Sequence, residues 1–113
     1  MATLQNAILD DIEKTLAKYP VVLYMKGTPD EPQCGFSSRA VKILNLIGCP
    51  FHTVDILADP ELRQTLREHK FPTFPQLYVG AELVGGSDIM MEEYESGELQ
   101  TKIEKTLQAS KDA

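Results

Sequence analysis

The sequence has no tryptophan and only two cysteines in 113 residues. So few thiols cannot build a disulfide framework, and a reducing, cytoplasmic compartment fits them best. Long apolar runs are also missing. The longest, Val21 to Met25, is far too short to span a bilayer. Positive charge is scarce: 11 Lys and Arg stand against 17 Asp and Glu, a formal net charge of −6. That balance argues against broad nucleic-acid binding and against anionic membrane surfaces. An anionic ligand would need a locally basic pocket. The N-terminus has neither the basic-then-apolar pattern of a secretory signal nor the Arg-rich, acid-poor character of an organelle presequence. No internal repeat, linker or low-complexity tract is present. Apolar and charged fractions are near globular averages, so disorder is not indicated, and the length suits a single domain, residues 1–113, with one core.

The chain alternates between two periodicities. Leu4, Ile8, Ile12 and Leu16 recur every four residues with Leu9 beside them, which predicts an amphipathic helix over 4–18. Pro20 stops it. Val21–Met25 is a continuous apolar run rich in β-formers, the pattern of a strand buried on both faces. A loop over 26–33 follows. Ala40, Val41, Leu44 and Ile47 then mark a helix face after Cys34, and Gly48 suits the position that ends it. Phe51 to Leu57 reads as a second strand, with Val54 and Ile56 on one face. Asp59-Pro60 is an N-cap followed by proline at the first helical position, with Leu62 and Leu66 facing inward. Phe71–Pro75 breaks that helix. Gln76–Val79, Gly80-Ala81 and Glu82–Val84 read as a β-hairpin. A helix over roughly 88–96 ends at Gly97. Leu99, Ile103 and Leu107 define a last helix, with a frayed tail from Ser110. A βαβ unit followed by a hairpin and helix predicts an α/β fold: a four-stranded mixed sheet with helices on both faces.

Chemistry concentrates at Cys34. A thiol at a helix start meets unpaired backbone N–H groups and the positive end of the helix dipole, and both favour the thiolate. Lys26 adds positive charge if the loop folds back, while Asp30 and Glu31 oppose it unless they face solvent. The position that would complete a Cys-x-x-Cys pair is Ser37, so Cys34 has no neighbouring resolving thiol. On spacing alone, an inert cysteine packed at a helix start and a functional thiol are equal readings.

The run Lys26-Gly27-Thr28-Pro29 to Pro32-Gln33-Cys34-Gly35-Phe36-Ser37 resembles the monothiol glutaredoxins with a Cys-Gly-Phe-Ser site. Thr73-Phe74-Pro75-Gln76 and Gly85-Gly86-Ser87-Asp88 resemble that family's other signatures, in the same order, and the likeness covers roughly residues 5–107. The resemblance implies a thioredoxin fold and glutathione binding. It implies a 2Fe–2S cluster ligated by Cys34 and a glutathione thiolate from each of two subunits, hence a homodimer when the cluster is bound. It also implies transfer to apo acceptor proteins, pairing with BolA-type partners, and a place in iron–sulfur biogenesis and iron and redox homeostasis. The alternative within the family is an enzyme in which Cys34 removes a glutathionyl group by thiol exchange.

For glutathione, the resemblance places the glycine carboxylate near Lys26 and Arg63, with Arg67 and Lys70 as helpers. It sets the cysteinyl backbone against Thr73 and Phe74 beside a cis Pro75, where trans is the default from sequence alone. The γ-glutamyl carboxylate falls at the helix start formed by Gly86 and Ser87, and its ammonium at Asp88, which also reads as a helix N-cap. Phe36 reads as a core contact or as dimer surface. Two departures stand out: the family often has Trp where Phe71 stands and Cys where Ser87 stands, so no disulfide between Cys34 and residue 87 can form. Cys49 reads as a structural cysteine. His52 reads as a strand residue and His69 as a helix-end residue, and neither has company that would make it a metal ligand.

Overall fold

The computed structural model describes residues 3–112. Strands β1 (Val21–Met25), β2 (His52–Asp55), β3 (Gln76–Val79) and β4 (Glu82–Gly85) form one mixed sheet in the order β2-β1-β3-β4. β1 pairs with β2 in parallel and with β3 antiparallel, and β3 pairs antiparallel with β4. Five helices surround it: α1 (Leu4–Lys18), α2 (Gly35–Ile47), α3 (Pro60–His69), α4 (Ser87–Ser96) and α5 (Glu98–Asp112).

The alternation of strand side chains splits the core into two layers. Val21, Leu23 and Met25 of β1 point to one face with Leu77 and Val79, where Ala40, Ile43 and Leu44 of α2, Met90 of α4 and Leu99 and Ile103 of α5 cover them. Val22 and Tyr24 point to the other with Tyr78, under Ile12 and Leu16 of α1 and Leu66 of α3. All five residues of β1 are buried, as a central strand covered on both faces must be. Tyr24 and Tyr78 meet edge-on, with ring centroids 5.7 Å apart. Burial pushes the Tyr24 phenol up to about 12.

The helix boundaries have visible causes. Thr3 caps α1 through its side chain, which accepts from the Asn6 N–H. Asp59 caps α3 by accepting from the Leu62 N–H, with Pro60 at the first position. Gly48 and Gly97 close α2 and α4 in the left-handed conformation.

Several boundaries differ from the sequence reading, β4 by one residue because it runs on to Gly85. β2 spans His52–Asp55, not 51–57: Asp55 is the last residue paired with β1, opposite Met25, and its Oδ1 accepts from the N–H groups of Gly27 and Leu57 as the chain turns. Val54 and Ile56 nevertheless pack into the same layer. α4 begins at Ser87, one residue earlier, and Gly86 is its N-cap, so Asp88 sits in the first turn and is not the cap. α5 continues to Asp112, past Ser110.

Candidate functional site

The loop between β1 and α2 folds back on itself. Gln33 N–H donates to the Lys26 carbonyl (2.9 Å), and Thr28 and Glu31 exchange backbone hydrogen bonds. Gly27 makes that reversal possible at φ 90°; a Cβ there would lie 2.5 Å from the Glu31 carbonyl oxygen. Asp55 Oδ1 holds the Gly27 N–H from the neighbouring strand (2.9 Å). Ser37 is fully buried, and its Oγ accepts from the Lys26 N–H (3.0 Å), tying the loop to the first turn of α2. Ser37 is therefore a structural staple as well as the residue that replaces a second thiol. Asp30 and Glu31 are exposed, so their charges face solvent.

Cys34 is the N-cap residue of α2, with extended backbone (φ −155°) and partial exposure. Its sulfur makes no full cap hydrogen bond. The backbone N–H groups of Ser37 and then Phe36 still favour the anion and hold its pKa below that of an ordinary thiol. Burial opposes this, second in weight only to the Ser37 N–H, and Lys26 assists behind the Phe36 N–H. The helix start thus outweighs the lysine as the source of acidity. Cys49 lies past the other end of α2, about 20 Å of helix away. It is half-buried against the α2 side of the core, and burial pushes its thiol up. The two cysteines have opposite chemistries, and only Cys34 opens onto a cleft.

That cleft has a volume of about 690 Å³ and brings together most of the residues singled out in the sequence: Lys26, Cys34, Arg63, Thr73, Phe74, Pro75, Gly86, Ser87 and Asp88. The Phe74–Pro75 bond is cis. Arg67 also lines the cleft, but Lys70 does not: its Nζ pairs with Glu13 of α1 at 2.9 Å, which removes it as a helper. Among the described residues, Lys26, Arg63 and Arg67 have no acidic partner, and Arg63 Nε is buried with no acceptor. A buried, unanswered donor suits a carboxylate arriving from outside. Phe36 is 54% exposed, so it is no core contact, and Phe71 supplies an apolar wall. Gly85, at φ 138°, is the residue of its pair that must be glycine, since a Cβ would press 3.1 Å from the Ile89 Cβ. At Gly86 a Cβ would stand at ordinary contact distance from the Pro75 carbonyl.

Some contributions were missed from sequence, among them the role of Gln76, which stood there only as the last residue of the Thr73–Gln76 run. Gln76 is fully buried in β3; its amide donates to the Phe71 and Thr73 carbonyls (2.9 and 3.3 Å) and its Oε1 accepts from Tyr78 (2.9 Å), which fixes the cleft's floor. A glutamine inside an apolar strand was the available signal. Ile89 adds an apolar rim, and Arg39 of α2 reaches Asp88 at 3.6 Å. Neither had a signal beyond helical spacing. His52 stacks on Tyr19 at 3.8 Å, and His69 meets the Gln5 amide. Among the described residues, no group of three or more His, Cys, Asp or Glu is gathered to hold a metal ion.

Residues 21–84 match the glutaredoxin family. The chain is 52% identical over 97 residues to an uncharacterized monothiol glutaredoxin of Synechocystis, covering 85% of this chain and 91% of that one. The chain belongs to the monothiol glutaredoxin family. Glutaredoxin 4 of Escherichia coli is 48% identical over 102 residues, covering 89% of each chain. A chloroplastic relative, monothiol glutaredoxin-S14 of Arabidopsis thaliana, is 47% identical over 107 residues; the match covers 94% of this chain and 62% of that longer one. Among solved structures, reduced poplar apo GrxS14 superposes with a TM-score of 0.78 at 48% identity, over 88% of this chain and 93% of that one. A buckwheat glutaredoxin–glutathione complex superposes at 0.81 with 21% identity, over 93% and 96%, which shows the shared thioredoxin fold. Among the described residues, no helix is long and apolar enough to cross a membrane.

Proposed function

We propose that this protein binds glutathione in the Cys34 cleft and carries a 2Fe–2S cluster. In that reading, Cys34 and the glutathione thiolate from each of two copies supply four sulfur ligands, the set such clusters take. The single observation that carries it is a stabilised thiolate standing alone: Cys34 is lowered by the start of α2, faces an open cleft, and has no second protein thiol in reach. One sulfur is too few to hold a cluster, so the remaining ligands come from a small thiol and a second copy. The cluster is cargo, passed to apo acceptor proteins, with BolA-type proteins as partners and a cytoplasmic setting that keeps both thiols reduced.

Glutathione fits the cleft by charge and shape. Lys26, Arg63 and Arg67 offer cations to its glycine carboxylate, and the orphaned Arg63 Nε gains an acceptor. Thr73 and Phe74 run beside its cysteinyl backbone, which brings its sulfur next to that of Cys34. The first turn of α4 takes the γ-glutamyl carboxylate on its free N–H groups, and Asp88 takes the ammonium.

The low Cys34 pKa favours a second activity at the same site. The thiolate attacks the glutathione sulfur of a mixed disulfide, the released protein sulfur leaves as thiolate, and a second glutathione thiolate then displaces Cys34 as glutathione disulfide. Calorimetric titration tests the shared premise. One glutathione per chain is expected, with affinity falling about tenfold or more in Arg63→Ala, the loss of a hydrogen bond to a charged group. Absence of binding contradicts both activities.

A further inference from the structure

We propose that Arg39 is a positioning residue that occupies Asp88 and so limits how strongly the cleft selects ligands bearing a free α-amino group. The proposal rests on the glutathione reading of the cleft and concerns a residue outside its lining. Arg39 lies on α2 and Asp88 in the first turn of α4, and their contact is the one ion pair joining these helices among the described residues. Of the two, only Asp88 lines the cleft.

The geometry is that of an exchangeable contact. A single nitrogen meets a single carboxylate oxygen at 3.6 Å, with the side chains 48% and 86% exposed. Strong charge-assisted pairs close to about 2.7–2.9 Å and are often bidentate. A ligand ammonium reaching Asp88 therefore meets a carboxylate already shared with a cation, and the two positive groups repel across it. Arg39 weakens the selection for an amine without touching the ligand. The same guanidinium attracts the γ-glutamyl carboxylate, which both glutathione and its deaminated form carry, so that effect cancels in their ratio and only the repulsion of the ammonium acts on the preference.

The test compares binding of glutathione with deaminoglutathione, which keeps the carboxylate and lacks the amine. The measured quantity is the ratio of the two affinities in wild type, Arg39→Gln, Arg39→Lys, Asp88→Asn and the Arg39→Gln/Asp88→Asn double variant. Arg39→Gln should raise the ratio roughly two- to fivefold, the range of exposed ion pairs. Arg39→Lys should hold it near wild type. Asp88→Asn should collapse it, and adding Arg39→Gln in that background should change it little. An unchanged or lower ratio in Arg39→Gln, or an equal rise without Asp88, overturns the proposal. A merely structural role for Arg39 would move both affinities together and leave the ratio alone. Failure of the wild type to bind glutathione at all would instead overturn the reading of the cleft, and this inference with it.

Discussion

Cys34 and Cys49 show how position decides the character of one side chain. Cys34 is acidified by the N–H groups that open α2, whereas Cys49 is made less acidic by burial past the far end of the same helix. Alkylation followed against pH should show Cys34 reacting first, with its inflection below that of an unperturbed thiol, while Cys49 lags throughout. Because the Cys34 pKa is lowered on folding, its thiolate adds stability above the pKa of the unfolded thiol. That contribution is lost as pH falls through the folded value. Lys26 ranks behind the backbone among the causes, so Lys26→Ala should move the inflection only slightly. Ser37→Ala should cost about 1–3 kcal/mol in chemical denaturation, since it strands the Lys26 N–H without its acceptor. That role was not legible from sequence, where Ser37 showed only what it was not. A buried hydroxyl's partner depends on how an eight-residue loop folds back, which no periodicity encodes.

The elements were legible wherever burial imposes a period. α1, β1, the hairpin and the caps at Asp59 and Gly48 follow from apolar spacing and terminal residues. The end of β2 was not, because the Asp55 side chain there holds the Gly27 loop. Lys70 was misplaced for a related reason: α3 offers Arg63, Arg67 and Lys70 at similar spacing, and only the packing of α1 shows that Glu13 takes the last. Lys70→Ala should therefore leave glutathione affinity within about twofold of wild type, as expected for an exposed ion pair elsewhere on the surface, in contrast to Arg63→Ala. The β3–β4 turn carries a local conflict. Ala81 sits at φ 67°, a left-handed position that strains any residue with a Cβ. Ala81→Gly should raise stability by about 0.5–1 kcal/mol, the strain relieved less the added freedom of the unfolded chain. A thermal or denaturant melt reads this directly.

At the scale of the molecule, an acidic chain concentrates unpaired cations at one cleft. The net charge is −6, yet Lys26, Arg63 and Arg67 all line the cavity onto which Cys34 opens. The sheet makes this possible by bringing the ends of β1, the loop before β3 and the start of α4 to one edge of the molecule. The parts come from positions as far apart in the chain as Lys26 and Asp88. From sequence, the family likeness named those parts; only the fold shows them around one space, with Arg39 and Gln76 supporting from behind. Nothing in the described residues gathers enough ligands for a metal within one chain. The central claim, that Cys34 is half of a shared site, is tested by anaerobic reconstitution with iron, sulfide and glutathione, read by visible absorption and molecular mass together. The account predicts a chromophore that needs glutathione, resides on a dimer and disappears in Cys34→Ser. A protein that stays colourless and monomeric, or one that gains the same chromophore without glutathione or without Cys34, contradicts it.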